Sequence, residues 1–137
     1  MIDVLVAMVV LSIGLLGLAG LQATGLRYNH GAYLSTQATL QAYDMADRMR
    51  ANMAGVDNGD YDSISGVIAP PVNCALANCS SSSDMAKYDA YQWNLDNQNL
   101  LPSGKGTVVK NGNLYTITVT WDDAGQGPMK FTTAFQP

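Results

Sequence analysis

The sequence predicts an α+β protein in which a long N-terminal helix, membrane-spanning in its first half, packs on a small antiparallel sheet with one extra short helix. Three observations predict this fold. Residues 4–26 carry no charge, and apolar residues at helical spacing continue from Leu34 to Met53. Residues 114–121 alternate between a mainly threonine face and an aromatic and aliphatic face, which is typical of a strand with one buried side.

The length favours a single domain, and the charge is unevenly distributed along it. The 137 residues are 47% hydrophobic and only 13% charged, and the shortage of charge is concentrated in the first quarter. The net charge is −4, with lysines and arginines scattered along the chain. A nucleic-acid-binding surface needs a basic cluster, so we expect no nucleic acid partner.

The uncharged run 4–26 is long enough to cross a membrane. As a helix it spans roughly 34 Å, against a hydrocarbon core of about 30 Å. A cleaved secretory signal would have a basic start and a shorter apolar core, whereas the first basic residue here is Arg27. A buried helix that is apolar all round needs a larger core than the remaining residues can supply. We therefore predict a transmembrane helix over residues 1–26.

Two features of this helix suggest contacts with other helices. Gly14, Gly17 and Gly20 recur every three residues, and small residues let membrane helices pack closely, although the spacing is not GxxxG. Asp3 stands at the edge of the apolar run. A carboxylate there either lies among the lipid headgroups and marks the helix end, or has a partner in the membrane.

The helix continues beyond the membrane as an amphipathic segment over residues 27–54. Asp44 and Arg48 are placed for an i, i+4 ion pair, and Gly55 marks the stop. We predict a nearly continuous helix over residues 2–53, whose outer half needs a cover from the head, residues 55–137. The predicted apolar face consists of Leu34, Ala38, Ala42, Met45, Met49 and Met53.

The head begins with an irregular connection, residues 55–83, rich in Gly, Asp, Asn, Ser and Pro. Asp57, Asp60 and Asp62 lack the spacing of a calcium loop, which favours a role in turns and leaves no metal ligand set. No cofactor motif is present either.

Cys74 and Cys79 favour a structural disulfide that closes a small loop in an oxidising compartment. The alternative, a redox or metal-binding pair, would need CxxC spacing or further ligands. Neither accompanies these two cysteines in the sequence.

The rest of the head is predicted from its sequence to form a short helix and a three-stranded antiparallel sheet. The helix is expected over residues 85–98, and the strands over residues 106–110, 114–121 and 129–135, with a hairpin turn at Asn111-Gly112-Asn113. Trp93 and Trp121 are predicted to pack in the core. The predicted inner face of the helix consists of Tyr88, Tyr91 or Gln92, Leu95 and Asn99.

Catalysis has little support in the sequence. His30 is the single histidine and is placed just outside the membrane, where we expect it to be solvated or interfacial. Nucleophile motifs and phosphate-binding glycine loops are absent from the sequence. We therefore predict that the protein is not an enzyme.

Several segments resemble the PilV family of type IV pilus minor pilins. Residues 1–22 are similar to the mature start of a type IV prepilin, and residues 41–52, Gln-Ala-Tyr-Asp-Met-Ala-Asp-Arg-Met-Arg-Ala-Asn, give a more specific match. Residues 88–93, the Leu-Pro-Ser-Gly turn 101–104 and the Thr-Val-Thr-Trp strand 118–121 also resemble the family.

This resemblance implies a pilin-like lollipop: a single-pass helix in the bacterial inner membrane, with its head in the periplasm before assembly into the fibre. In the family, a leader ending in glycine is removed and the new terminus is N-methylated. A glutamate near that terminus pairs with the terminal amine of a neighbour, and Asp3 occupies its place. The leader, the cleavage glycine and the first two mature residues are expected before Met1.

The implied function is that of a minor pilin that primes assembly in a tip complex and supports twitching motility and adhesion. The implied partners are other minor pilins, the major pilin and a tip adhesin. Two alternatives stay open: a minor pseudopilin of a type II secretion system, and a single-span membrane protein with a periplasmic binding module.

Overall fold

The computed structural model describes residues 1–70 and 72–137 and confirms the α+β fold. Helix α1, Ile2–Ala51, is the longest element. It is followed by a short helix, a longer third helix and four strands that form one antiparallel sheet. The chain divides into two compact units, Met1–Tyr33 and Leu34–Pro137. The second unit is larger than the head predicted from the sequence, residues 55–137, because it also includes the last part of α1. From here on, "the head" means this unit, Leu34–Pro137.

Helix α1 ends before the predicted residue 53 because Asn52 leaves the helical conformation (φ −120°, ψ 57°). The Asn52 side chain accepts a hydrogen bond from the backbone N–H of Gly55 and so caps a new helix, α2, Met53–Asp57. The predicted inner face of α1 is confirmed from Leu34 to Met49, whose members are all buried. The prediction was wrong for Met53, which is 37% exposed because it belongs to α2.

The sheet has one more strand than the sequence predicts. Its order is β1 (Ser63–Ser65), β2 (Lys105–Asn111), β3 (Leu114–Asp123) and β4 (Gly127–Phe135), all antiparallel. β2, β3 and β4 are the three predicted strands with longer ends. β1 lies in the connection expected to be irregular, and it forms because it pairs with β2.

Helix α3, Ser82–Leu100, starts earlier than predicted because Ser81 caps it, accepting a hydrogen bond from the Asp84 N–H. The predicted inner face of this helix was wrong. The buried face consists of Ala86, Asp89, Trp93, Asn94 and Asn97. Asp89 and Asn94 have partners that are not visible in the local sequence. The buried side-chain amide of Asn97 has no hydrogen-bond partner within residues 1–70 and 72–137. This buried set displaces Tyr88, Leu95 and Asn99 from the core.

The core lies entirely in the head, between the sheet and the packed faces of α1 and α3. Trp93 and Trp121 are buried in it, as the sequence predicts. On β3 the residues from Tyr115 to Trp121 alternate between buried and half-exposed, which confirms the predicted two-faced strand. Among the residues that the structure describes, the eighteen buried hydrophobic residues all fall between Leu34 and Phe135.

Candidate functional site

The first candidate site is the apolar surface of residues 4–26. Each large apolar side chain of this segment is at least half exposed, and Leu18, the most covered, is 53% exposed. α1 is the one helix in the described part of the chain that is long and apolar enough to cross a membrane. A large exposed apolar surface of this kind marks a site of contact with a membrane or with another protein.

The hydroxyl groups inside this segment are satisfied locally. The Ser12 hydroxyl donates to the Met8 carbonyl oxygen at 2.7 Å, and the Thr24 hydroxyl donates to the Gly20 carbonyl oxygen at 3.0 Å. An unpaired hydroxyl would be costly in hydrocarbon. These two bonds therefore make the segment compatible with a lipid or helix-lined environment despite its polar residues.

Asp3 lies in the first turn of α1, where a negative charge is favoured by the helix dipole. Its side chain is exposed, and across residues 1–70 and 72–137 it makes no ion pair within 4.0 Å. A cation that neutralises this carboxylate in an apolar setting must therefore come from another molecule.

Gly14, Gly17 and Gly20 have open space around them. A Cβ atom built at any of the three would meet nothing within 4 Å. Glycine costs a helix about 1 kcal/mol relative to alanine, and nothing in the described chain offsets that cost at these positions. Close approach of a helix from another chain would use the space that they leave.

Cys74 and Cys79 form the predicted disulfide, with their Cα atoms 5.1 Å apart. The loop between them is shaped by Asn73, whose carbonyl oxygen accepts hydrogen bonds from the N–H groups of Leu76 and Ala77 at 3.1 and 2.9 Å. Leu76 is 86% exposed at the end of this turn. The bond closes a local loop in the head, far in sequence from the apolar segment.

A cluster of charged side chains on the head was only partly predicted. Arg48 contacts Asp44 at 2.7 Å, as the i, i+4 spacing predicts, and it also contacts Asp89 at 3.4 Å and Asp96 at 3.9 Å. Burial lowers the pKa of Arg48, but its hydrogen bonds and charge interactions with Asp44 and Asp89 outweigh this effect and raise it. The cluster joins α1 to α3.

Tyr61 extends this cluster into the core. Its hydroxyl donates to Asp89 Oδ2 at 2.7 Å and accepts from Asn52 Nδ2 at 3.1 Å. Burial and the hydrogen bond to Asp89 raise the pKa of Tyr61, so the phenol stays protonated further into the alkaline range than a free tyrosine. No sequence pattern pointed to Tyr61, because its partners are 9 and 28 positions away.

The other residues that the sequence singled out are not part of the Arg48 cluster. His30 is exposed on α1. Asp62 Oδ1 accepts one hydrogen bond from the Tyr115 hydroxyl at 2.9 Å and lies 3.3 Å from the Lys110 ammonium. Within the described ranges, 1–70 and 72–137, no three acidic, histidine or cysteine side chains converge as a metal site would require.

Comparisons of the chain with protein-family models, with curated proteins and with solved structures found no match. A functional proposal therefore depends on the residues and their geometry.

Proposed function

We propose that the chain is a minor pilin of a type IV pilus, which primes fibre assembly in a tip complex and supports twitching motility and adhesion. The observation that carries the proposal is the apolar surface of residues 4–26, left uncovered by the described chain and followed in the sequence by a folded, disulfide-containing head. An anchor alone needs only lipid contact. The glycines and Asp3 support a further role in packing against other subunits.

In this function the helix occupies two environments in turn. It first spans the inner membrane, and it then leaves the bilayer when neighbouring subunits cover the same apolar side chains. Lipid tails are as apolar as leucine, so transfer of the helix from lipid to neighbouring helices gains little from the hydrophobic effect. Close packing and polar contacts between the helices therefore drive the transfer. The open positions at Gly14, Gly17 and Gly20 would permit that close packing.

Asp3 provides the polar contact in this mechanism. Its exposed carboxylate has no cation within the described chain, and an amine at the terminus of a neighbouring subunit has the complementary charge. When the two groups pair, their opposite charges neutralise each other in the apolar surrounding. This favours the position in which the start of one helix lies beside the Asp3 of the next. The partners are other minor pilins, the major pilin and a tip adhesin.

The disulfide supports a head in the periplasm. Such bonds persist in oxidising compartments, and the periplasm is one of them. With the apolar helix in the inner membrane, the head projects into that compartment before assembly and becomes part of the fibre afterwards.

The deciding experiment is complementation of a strain that lacks the gene. The Asp3→Ala protein should insert into the membrane at normal levels yet fail to restore surface pili and twitching. The control Asp3→Glu keeps the carboxylate and should restore both. Normal piliation with Asp3→Ala would contradict the assembly role of this residue.

The same strain separates the alternatives. Loss of pili with normal protein secretion supports a minor pilin, whereas a secretion defect with normal pili indicates a type II pseudopilin. If neither process changes on deletion, the single-span binding module is the better description.

A further inference from the structure

The two edges of the head sheet differ in how they are protected. β4 carries Pro128 and Lys130 at its open edge, and proline and lysine both discourage the addition of another strand. β1, at the opposite edge, consists of Ser63, Ile64 and Ser65, with neither kind of protection. An edge that lacks both can accept a further strand, and the three-residue length of β1 limits that pairing to a short segment.

The hydrogen-bonding direction of β1 follows from one bond. The Lys110 N–H donates to the Asp62 carbonyl oxygen at 3.0 Å, in the same register as the β1–β2 pairs. Because bonded and non-bonded pairs alternate in an antiparallel ladder, Ile64 directs its backbone groups towards β2. Ser63 and Ser65 therefore direct their N–H and C=O groups away from the sheet, where a fifth strand would lie.

A cavity of about 230 Å³ lies beside this edge, between β1 and α3. Its walls include Ile64 from the strand and Ala86 and Ala90 from the helix. The two alanines are one turn apart, and their short side chains leave the space open. A single water needs only about 10–15 Å³ by a comparable measure, so the cavity has room for an aliphatic side chain.

Two charged groups at the cavity have no partner within residues 1–70 and 72–137. Asp60 lines the cavity, and its Oδ2 is buried without a hydrogen bond. Lys87 lines the cavity from α3, is exposed and makes no ion pair in that part of the chain. Asp60 Oδ2 is too deeply buried to meet an incoming group, whereas the exposed Lys87 would attract a carboxylate.

We propose that β1 and this cavity form a docking site for an extended segment of a partner protein, which adds as a fifth strand beside β1. The segment places one aliphatic side chain in the cavity and an acidic side chain against Lys87. Main-chain bonds to Ser63 and Ser65 supply affinity, while the cavity supplies specificity. This inference does not depend on the function proposed for the apolar helix.

A second copy of this chain does not fit the site through its own β1. Ile64, the one aliphatic residue of that strand, is 7% exposed and already belongs to the core. It cannot enter the cavity of another molecule without leaving its own core. β1 of a second copy is therefore excluded, and the proposed occupant is a segment of a different protein.

The test uses the full-length protein in lipid nanodiscs and a phage-displayed library of random dodecapeptides, with empty nanodiscs as counter-selection. Enriched peptides should share an aliphatic residue and an acidic residue in an alternating, extended pattern. Ser65→Pro removes an outward N–H without touching the bonds to β2, and Ala90→Leu fills the cavity. Each should weaken the best synthetic peptide about tenfold or more, the equivalent of one or two hydrogen bonds.

The matched controls are Ser65→Ala, which keeps the N–H, and Lys130→Ala at the other edge, and both should leave affinity within about twofold. Thermal melting checks that each variant is folded. If Ser65→Pro unfolds, Ala90→Leu and the charge reversal Lys87→Glu decide in its place. Failure to enrich peptides, equal binding to Ala90→Leu, or self-association that consumes the site would overturn the proposal.

Discussion

Trp93 donates a 2.7 Å hydrogen bond from its indole Nε1 to the backbone carbonyl oxygen of Gln41, 52 positions earlier in the chain. The indole is fully buried, and Gly106 of β2 lies against its ring. The N–H of Gly106 in turn donates to Asn94 Oδ1 at 2.8 Å. The last part of α1, the middle of α3 and the start of β2 therefore meet at one side chain.

Gly106→Ala should lower the free energy of unfolding by about 1–3 kcal/mol, because the added Cβ overlaps the buried Trp93 ring and the core must shift. Urea denaturation followed by tryptophan fluorescence measures the change. Gly125→Ala is the control, since its Cβ meets only Asp123 Oδ1 at an ordinary 3.7 Å and should change stability by less than about 0.5 kcal/mol. Equal effects of the two substitutions would contradict the close packing at Trp93.

Stability should fall as the pH rises above about 10, where an exposed tyrosine starts to ionise. The raised pKa of Tyr61 means that the unfolded chain loses its phenol proton first, so alkaline pH favours unfolding. Burial also raises the pKa of Tyr115, which adds to the same slope. Below pH 10 this contribution is fully present.

Tyr61→Phe should reduce that alkaline slope, measured by urea denaturation between about pH 7 and pH 11. At pH 7 it should also cost about 1–3 kcal/mol, because Asp89 loses a buried hydrogen bond. Tyr43→Phe, at a tyrosine that is 52% exposed, is the control for the pH 7 measurement and should change stability by less than about 0.5 kcal/mol. An unaltered slope in Tyr61→Phe would mean that this phenol ionises similarly in the folded and unfolded chains.

The Cys74–Cys79 disulfide should be present in the mature protein and should stabilise the head by about 2 kcal/mol, as expected for a short loop. Non-reducing mass spectrometry should give a mass lower than the reduced form by two hydrogens. A Cys74→Ser, Cys79→Ser double variant should lose stability without losing the fold. Two thiols that react with an alkylating agent in the native protein would count against the bond.

A fragment of residues 28–137 should be soluble, folded and mainly monomeric at micromolar concentration. The buried hydrophobic core begins at Leu34, so deletion of residues 1–27 removes no member of it. On the proposed function, full-length protein should in contrast co-purify with pilins in detergent, because association would depend on the apolar helix. Sedimentation velocity measures the mass of the fragment. A stable homo-oligomer of the fragment, or pilin binding undiminished in it, would make the head the dominant interface.

The parts of the head that were predicted correctly are those in which a local repeat is long enough to determine burial. β3 alternates over ten residues, and α1 presents an apolar residue every three or four positions through Met49. The predicted disulfide was correct for a related reason, since two cysteines so close in sequence have few other structural uses.

The errors have a common cause in long-range partners. α3 was assigned the wrong face because Asp89 and Asn94 are polar, yet Arg48 and Tyr61 bind the first and Gly106 binds the second. Once its hydrogen bonds are satisfied, a polar side chain can be buried in place of an apolar one. β1 was missed because three residues are too few to show a period.

The sequence by itself determined the long apolar helix, the paired cysteines and the two-faced strands, because these depend on spacing within a few residues. Only the tertiary structure decided where α1 ends, which face of α3 is buried and that β1 exists. At Asn52, helix continuation competes with a cap on α2 and with bonds to Tyr61 and the Ser82 carbonyl oxygen. Those partners are brought close only when the chain folds, so the balance between the two outcomes is set by contacts that no local pattern contains.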